Sequence, residues 1–142
     1  MDPKLIFVIV YLVIDIIYIT LSKSYYMDIF SKIQHGDSVS FSEDKLRIIG
    51  IFGAYIAMAL GWYYLAAGLA NTWIAEKRFS SPYIAGLLAG AIYGFAVYGT
   101  YNFTNYVTLK NYETGVLTRD LVWGTTWGAL SVMLYTIYIT NK

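Results

Sequence analysis

Two aspartates are the residues most able to do chemistry in this sequence, because both lie within predominantly apolar stretches. Asp15 is near the middle of the apolar run from Leu5 to Leu21, and Asp120 is near the start of the last apolar run. A carboxylate at the centre of a membrane-spanning helix costs about 2.5–3.5 kcal/mol on insertion scales, so we expect compensating partners. Asp15 is suited to a proton or cation site, or to a protonated or hydrogen-bonded carboxyl that locks helices together. A favourable interaction with a helix dipole is a second explanation for Asp120.

Further hydrogen-bonding side chains lie at a similar depth if the apolar stretches form consecutive antiparallel helices. In that arrangement the end of the first helix, the end of the third and the start of the fourth are on one side. We therefore predict one buried polar cluster, which consists of Asp15, Tyr18, Asn102, Asn105, Asp120 and Thr125. Such a cluster can hold a cation, relay protons, bind a lipid head group or form the hydrogen-bond network that specifies helix packing. All four interpretations agree with the sequence.

Other kinds of chemistry are not expected from the composition. The chain has no cysteine, and its one histidine, His35, is in a polar segment, so thiolate chemistry and a histidine base within the apolar runs are excluded. We therefore predict no enzymatic activity, no metal site and no cofactor. The net charge is +1, and the lysines and arginines are scattered between apolar runs, which disfavours nucleic-acid binding.

Composition identifies the structural class. The chain has 142 residues, of which 58% are hydrophobic and 13% charged, with a mean hydropathy of +0.52, which is too apolar for an ordinary soluble domain. Four apolar runs are long enough to cross a bilayer. The predicted helices cover about residues 4–22, 46–69, 82–106 and 118–139, and an additional interfacial helix covers 24–35. We predict a single all-α domain over residues 1–142, an integral membrane four-helix bundle.

Local signals mark several helix ends. A signal peptide is disfavoured at the N-terminus because the first apolar run contains an aspartate and lacks a small-residue cleavage site. Ser40 and Glu43 have the spacing of a capping box, which predicts that the second helix begins near residue 41, before its membrane-spanning part. Pro82 suits the first position of the third helix, and Thr118 is a candidate cap for the fourth.

Glycines spaced four apart predict close contact between helices. Gly86, Gly90 and Gly94 share one face of the third helix, and Gly124 and Gly128 share a face of the fourth. The spacing allows contact within one chain or between copies.

In the second helix, the Trp-Tyr-Tyr sequence at 62–64 is too deep for an interfacial belt, so we expect core packing, with an aromatic-lined ligand pocket as the alternative.

The sequence Tyr-Gly-Thr-Tyr at 98–101, followed by Leu-Lys-Asn at 109–111, resembles the uncharacterised membrane proteins grouped as domain of unknown function 2177. The resemblance extends to Asp15, to residues 55–68 and to the region around Asp120, and therefore covers nearly the full length. The family is found in bacteria and in large DNA viruses, and it implies four helices without an established activity. The chain departs from the family pattern at position 102, where asparagine stands in place of an expected aspartate.

The abundance of small and aromatic packing residues favours a structural or scaffolding role. We expect a multi-pass protein of a lipid bilayer, and the resemblance extends this to a minor component of the virion membrane of a large DNA virus. Expected partners are other membrane or capsid proteins and further copies of the chain. The alternative function is binding or transport of a small molecule, a proton or a cation through the polar cluster. Six lysines and arginines on one side against four on the other favour termini outside the cytoplasm.

Overall fold

The computed structural model describes residues 2–33 and 45–142, apart from the side chains of Lys45 and Arg47. Every element in the described part is helical. The elements in chain order are α1 (Pro3–Leu21), α2 (Lys23–Ile33), α3 (Lys45–Leu60), a π-helical segment (Gly61–Ala66), α4 (Ala67–Ala75), α5 (Pro82–Thr108) and α6 (Thr114–Thr140). His35 and the predicted capping pair, Ser40 and Glu43, lie outside the described residues.

The first and third long helices begin with the same local device. The Asp2 carboxylate accepts a hydrogen bond from the backbone N–H of Lys4 at 2.9 Å, and the Ser81 hydroxyl accepts one from the N–H of Tyr83 at 3.3 Å. A proline follows each capping residue. The cap satisfies one of the free N–H groups of the first turn, and proline has no N–H that needs a partner, so both sequences favour a helix start.

The second long helix continues beyond its predicted end at residue 69. Asn71 and Thr72 are polar and follow the predicted helix end, but they lie within α4. Asn71 Nδ2 donates to the Tyr135 hydroxyl of α6 at 3.0 Å, and Thr72 Oγ1 donates to the Gly68 carbonyl at 3.1 Å. Because both side chains find acceptors, the helix does not have to end where its hydropathy falls.

The end of α4 is a Schellman motif. Lys77 has φ of 51°, and the backbone N–H of Arg78 donates to the Trp73 carbonyl at 3.0 Å. The N–H of Lys77 donates to the Ile74 carbonyl at 3.1 Å. These bonds satisfy carbonyl groups that would otherwise be left without partners in the last turn, so the chain leaves the helix at this point.

The π-helical segment Gly61–Ala66 has a specific cause. The Tyr93 hydroxyl of α5 donates to the Met58 carbonyl at 2.6 Å, and the Trp62 backbone N–H points to the same hydroxyl. In a regular α-helix that N–H would bond to that carbonyl, so the hydroxyl is inserted into the helical ladder. A Cβ added at Gly61 would lie 2.8 Å from a Tyr93 ring carbon, so glycine allows the ring to approach.

The last helix begins earlier than the predicted span 118–139. α6 starts at Thr114, with the result that Asp120 is not in the first turn. Val116, in the additional turn, is buried against Ile29 of α2. This contact buries apolar surface of the additional turn and so stabilises a helix start that the length of the apolar run does not predict.

The glycines of α5 and α6 meet in one contact within the chain. A Cβ added at Gly90 would lie 2.7 Å from the carbonyl carbon of Gly128, and a Cβ at Gly94 would lie 2.7 Å from that of Gly124. Gly86 faces α6 further along the same contact. The absence of side chains therefore lets the two backbones approach closely, as in other helix pairs that pack within membranes.

Aromatic side chains fill the interior beside this helix pair. Trp62 is fully buried, its indole N–H donates to Ser131 Oγ at 2.9 Å, and its ring lies edge-on to Tyr135 with centroids 5.7 Å apart. The buried rings of Tyr11 and Tyr93 belong to the same core. The position of Trp62 agrees with core packing, because its polar N–H has a partner and its ring is enclosed. Core packing is wrong for Tyr64, the last residue of the Trp-Tyr-Tyr sequence, because 67% of its surface is exposed.

In residues 2–33 and 45–142, three helices are long and apolar enough to cross a membrane. They are Pro3–Leu21, Ile48–Ala75 and Pro82–Thr108. α6 has 27 residues but includes buried small and hydroxyl residues such as Gly124 and Ser131. These positions face protein rather than lipid and do not have to be strongly apolar. A fourth crossing by α6, and with it the four-span bundle, stays a prediction.

Candidate functional site at one end of the bundle

Asp15 is buried where three helices meet, with 1% of its surface exposed. Its Oδ1 atom accepts hydrogen bonds from the Tyr98 hydroxyl of α5 and from the Trp123 indole N–H of α6, the latter at 2.9 Å. Both donors are uncharged. Among the side chains that the structure describes, no lysine or arginine forms an ion pair with this carboxyl group. Asp15 therefore joins α1 to α5 and α6 through neutral hydrogen bonds.

Asp120 is the second buried carboxyl group, with 7% of its surface exposed. It accepts a hydrogen bond from the Tyr26 hydroxyl of α2, and that hydroxyl lies 3.1 Å from the Tyr18 hydroxyl of α1. The Tyr18 ring stacks on Trp123 with centroids 4.0 Å apart and planes 7° apart. Since Trp123 also donates to Asp15, hydrogen bonds and one ring stack connect the two aspartates.

Arg119 lies on the exposed side of this network. Its Nε–H donates to the Tyr18 hydroxyl at 3.2 Å and its Nη2 donates to Ser22 Oγ at 3.0 Å. The guanidinium carbon lies 4.7 Å from the centre of the Tyr25 ring and 5.7 Å from that of Tyr18. We refer to Tyr18, Ser22 and Tyr25 as the Arg119 cradle. Its hydrogen bonds and ring faces hold the cation in one orientation.

Asn102 forms a neighbouring branch of hydrogen bonds. It is fully buried, its Nδ2 donates to the Tyr98 carbonyl at 2.9 Å, and its Oδ1 accepts from the Tyr112 hydroxyl at 2.6 Å. Asn105 is half-buried about one turn later, beside the Tyr101 hydroxyl. Asn102 thus fastens the α5–α6 loop to α5, whereas no hydrogen bond joins Asn105 to either aspartate in the described part of the chain.

Thr125 is not part of the network. Its Oγ1 is buried and has no hydrogen-bond partner among the described residues. Its Cα would lie 3.1 Å from a Cβ added at Gly94, which places it at the contact between α5 and α6. Of the residues predicted to cluster, the structure brings Asp15, Tyr18, Asn102 and Asp120 into hydrogen-bonded groups.

The Tyr11 hydroxyl is a buried polar atom close to Asp15. Tyr11 has no exposed surface, and its hydroxyl forms no hydrogen bond of good geometry with a described residue, although the Tyr93 and Tyr98 hydroxyls are near. Tyr11 precedes Asp15 by four residues and shares its face of α1. Among the described residues, its hydroxyl is therefore a polar atom without a hydrogen bond in the same part of the core as Asp15.

The polar network continues into α2, outside the membrane-spanning helices. Burial, and next the hydrogen bond to Asp120, raise the pKa of Tyr26, so this hydroxyl remains a neutral donor. Lys32 Nζ lies 2.9 Å from Asp28 Oδ2 and 3.3 Å from Glu113 Oε1, and its hydrogen bonds to these carboxylates raise the Lys32 pKa. The Tyr26–Asp120 bond joins α2 to α6, and the Lys32–Glu113 pair joins α2 to the residue that precedes α6, whereas the Lys32–Asp28 pair lies within α2.

The arrangement has limited chemical options. No group of three histidine, cysteine, aspartate or glutamate side chains in residues 2–33 and 45–142 is placed to hold a metal ion. Two shallow surface grooves have volumes of about 380 and 290 Å³ and predominantly apolar linings, which include Ile16 and Phe52 in the first and Phe95 and Val122 in the second. The network is suited to joining helices and to exchanging a proton among carboxyl and hydroxyl groups.

Comparison with known proteins gives one decisive result. A family model described as "Predicted membrane protein (DUF2177)" matches residues 4–137. The chain belongs to this family. Neither the curated proteins nor the solved structures include a significant match. The DUF2177 match extends from α1 into the last turns of α6, so it includes both aspartates and all of their hydrogen-bond donors, and it agrees with the apolar helices of a membrane protein.

The sequence did not predict the hydrogen-bond donors to the two aspartates of this DUF2177 protein. Tyr98 and Trp123, which bind Asp15, and Tyr26, which binds Asp120, were not predicted to belong to the polar cluster. A buried tyrosine or tryptophan needs an acceptor and a buried carboxyl group needs donors, so matching these needs between helices is a usable signal. This matching of donors and acceptors does not identify Tyr26, because the position of α2 depends on tertiary packing.

Proposed function

We propose that this protein is a structural component of its membrane, in which the buried polar groups hold helices together. The observation that carries the proposal is the hydrogen bonding of Asp15 and Asp120 to neutral donors from other helices. A satisfied polar network in a low-dielectric interior specifies one packing, because any other packing leaves polar groups without partners. The aromatic core and the close contact of the glycines between α5 and α6 also favour one rigid packing of the helices.

The outer surface supports the scaffolding part of the proposal. A Cβ added at Gly50 or Gly53 on α3 would meet nothing within 4 Å, and Phe52 between them has 65% of its surface exposed. This helix therefore offers surface to lipid and to neighbouring proteins. We expect those neighbours to be membrane or capsid proteins or further copies of the chain, including those of a large DNA virus particle.

Quantitative proteomics with cross-linking on the native membrane or particle tests the proposal. A photoreactive amino acid at Phe52 is expected to capture a protein partner at a fixed ratio to this chain. The same group at Trp62, which is fully buried and already aromatic, is the matched control and should capture only this chain. A low and variable copy number, with no cross-linked partner at Phe52, would contradict the structural role.

Proton binding is the alternative function, and one specific observation favours it. Asp15 has no cationic partner among the described residues, and the Tyr11 hydroxyl beside it has no hydrogen bond of good geometry there. A carboxyl group in such surroundings can take up a proton and donate it to a nearby hydroxyl. Transport would in addition need a path for the ion, which supports ranking this function second.

Proton flux in liposomes separates the two functions. Under the structural proposal, flux through wild-type protein equals that of the Asp15→Asn and Asp120→Asn variants and of liposomes without protein. A flux that depends on wild-type protein and falls at least tenfold in Asp15→Asn would instead establish proton transport. The Asp28→Asn variant, on the exposed surface of α2, is the control for loss of a carboxylate outside the network.

A further inference from the structure

Arg119 lies at the level where the first membrane-spanning helix ends. α1 ends at Leu21, and the next residue, Ser22, accepts a hydrogen bond from the guanidinium group. A helix of 19 residues is about 28 Å long, close to the thickness of the hydrocarbon core, so its end marks the head-group region. The charge of Arg119 is therefore held beside the head groups of one leaflet.

The Arg119 cradle orients this cation without neutralising it. Tyr18 and Ser22 accept hydrogen bonds through uncharged hydroxyls, and Tyr25 contributes a ring face. In residues 2–33 and 45–142 no carboxylate forms an ion pair with Arg119, and the adjacent Asp120 is buried and bonded to Tyr26. The other N–H donors of the guanidinium group remain available to an anion.

The surroundings of the cradle combine positive charge with apolar surface. Lys23 is exposed directly after Ser22. Leu21, just before the cradle, has 81% of its surface exposed, and Val122, one turn after Arg119, has 61% exposed. An inorganic anion would use only the charged part of this surface. A ligand with an anionic head and an apolar chain would use both parts.

We propose that Arg119 binds the phosphate group of an anionic phospholipid. The planar guanidinium fork matches phosphate oxygens, Lys23 adds a second positive charge, and Leu21 and Val122 contact the acyl region. The site shares Tyr18 with the buried carboxyl network, but it binds its ligand through the exposed N–H donors of Arg119 and does not depend on the structural role proposed above. A negative result at the lipid site would therefore not contradict the structural role, which the cross-linking experiment tests.

Native mass spectrometry of the full chain in mild detergent tests the site with defined lipids. Phosphatidylglycerol is expected to bind more tightly than phosphatidylcholine, and Arg119→Gln is expected to weaken phosphatidylglycerol binding about tenfold. Arg119→Lys should give an intermediate loss, because lysine keeps the charge but not the fork or the ring contact. If Arg119→Gln folds poorly, Arg119→Lys still tests the site.

Arg78 provides a matched control at the other end of the bundle. Its guanidinium carbon lies 5.7 Å from the centre of the Trp73 ring, and its Nε lies 3.7 Å from Glu76 Oε2. Arg78→Gln removes the same charge from a site that already has a carboxylate, and it should leave lipid binding unchanged. An equal loss in Arg78→Gln and Arg119→Gln, or no loss in Arg119→Gln and Arg119→Lys, would overturn the proposal.

Soluble phosphate distinguishes the lipid from a free anion. Inorganic phosphate and glycerophosphate, added at millimolar concentration, should leave bound phosphatidylglycerol in place, because neither uses the apolar surface at Leu21 and Val122. Displacement of the lipid by inorganic phosphate would show that the site recognises phosphate alone, and the phospholipid assignment would be wrong.

Discussion

At the scale of single residues, the Oδ1 atom of Asp15 receives hydrogen bonds from α5 and α6, and both donors are uncharged. Asparagine at this position keeps an oxygen acceptor of the same geometry, whereas leucine removes it. A buried donor left without an acceptor costs about 1–3 kcal/mol. Stability should therefore depend on the acceptor oxygen of residue 15 and little on its charge.

We accordingly predict that Asp15→Asn folds with nearly wild-type stability and that Asp15→Leu is destabilised by about 2–4 kcal/mol, since two donors lose one acceptor. Thermal or denaturant unfolding in detergent measures the difference. Asp28→Asn on the surface of α2 is the control for loss of a carboxylate. Complete loss of folded Asp15→Asn would show that the network needs the negative charge.

Asp2 gives a residue-scale prediction for pH. Its Oδ2 accepts a hydrogen bond from the Tyr63 hydroxyl at 2.5 Å, and this bond, followed by that from the Lys4 backbone, lowers the Asp2 pKa below its ordinary value of 3.8. A lowered folded-state pKa means that the contribution to stability is present above pH 3.8 and is lost as pH falls through the folded-state value.

The unfolding temperature of wild-type protein, measured between pH 6 and pH 2, should fall more steeply at the acid end than that of Asp2→Asn. The asparagine side chain accepts the same bonds but does not titrate, which makes it the appropriate comparison. If the unfolding temperature falls equally steeply at acid pH in the two proteins, the Asp2–Tyr63 bond does not contribute to stability.

At the scale of elements, glycines determine how closely helices approach, but only where another backbone is present. Gly90 lies against the backbone of Gly128 and Ala129, whereas Gly53 on α3 has open space around its missing Cβ. A side chain at Gly90 must therefore separate α5 from α6, because backbone atoms have no alternative rotamer. The same side chain at Gly53 extends into the surroundings.

Gly90→Leu is predicted to lower the stability of the bundle by about 3 kcal/mol or to prevent folding, since overpacking by a single group already costs about 1–3 kcal/mol. Gly53→Leu, the matched variant, should retain wild-type stability. Unfolding in detergent and the oligomer size by size-exclusion chromatography provide the readouts. Unchanged stability and oligomer size in Gly90→Leu would count against the glycine contact.

At the scale of the whole molecule, the number of membrane crossings depends on whether α6 spans the membrane. If α6 crosses, the region of Ser24 and Glu113 is on one side, and Lys77 and Lys142 are on the other. The positive charges then divide six to four, which favours the first side as cytoplasmic. If α6 does not cross, Lys142 shares a side with Glu113.

The absence of cysteine makes this topology directly measurable. Single Ser24→Cys, Glu113→Cys, Lys77→Cys and Lys142→Cys variants are labelled in intact cells with a membrane-impermeant maleimide. We predict labelling of the Lys77 and Lys142 variants from outside, and labelling of the Ser24 and Glu113 variants only after the membrane is opened. Labelling of Glu113→Cys and Lys142→Cys from the same side would exclude a fourth crossing.

The sequence by itself determined the class, the helical content, the membrane environment and the family of this protein. These properties follow from composition, from the length of apolar runs and from a specific string of residues, all of which are local along the chain. The match over residues 4–137 confirms the family, and the three long apolar helices agree with a membrane protein. The positions of Asp15 and Asp120 among buried groups could also be anticipated, since a carboxyl group in an apolar run needs partners.

Only the tertiary structure decided which partners those are. The donors Tyr26, Tyr98 and Trp123 come from different helices, and the π-helical turn depends on a Tyr93 hydroxyl that approaches from α5. Hydrogen bonds of this kind depend on the rotation and spacing of separate helices. Those quantities follow from the packing of the glycine contact and of the aromatic core, and they have no signature in the residues adjacent in sequence.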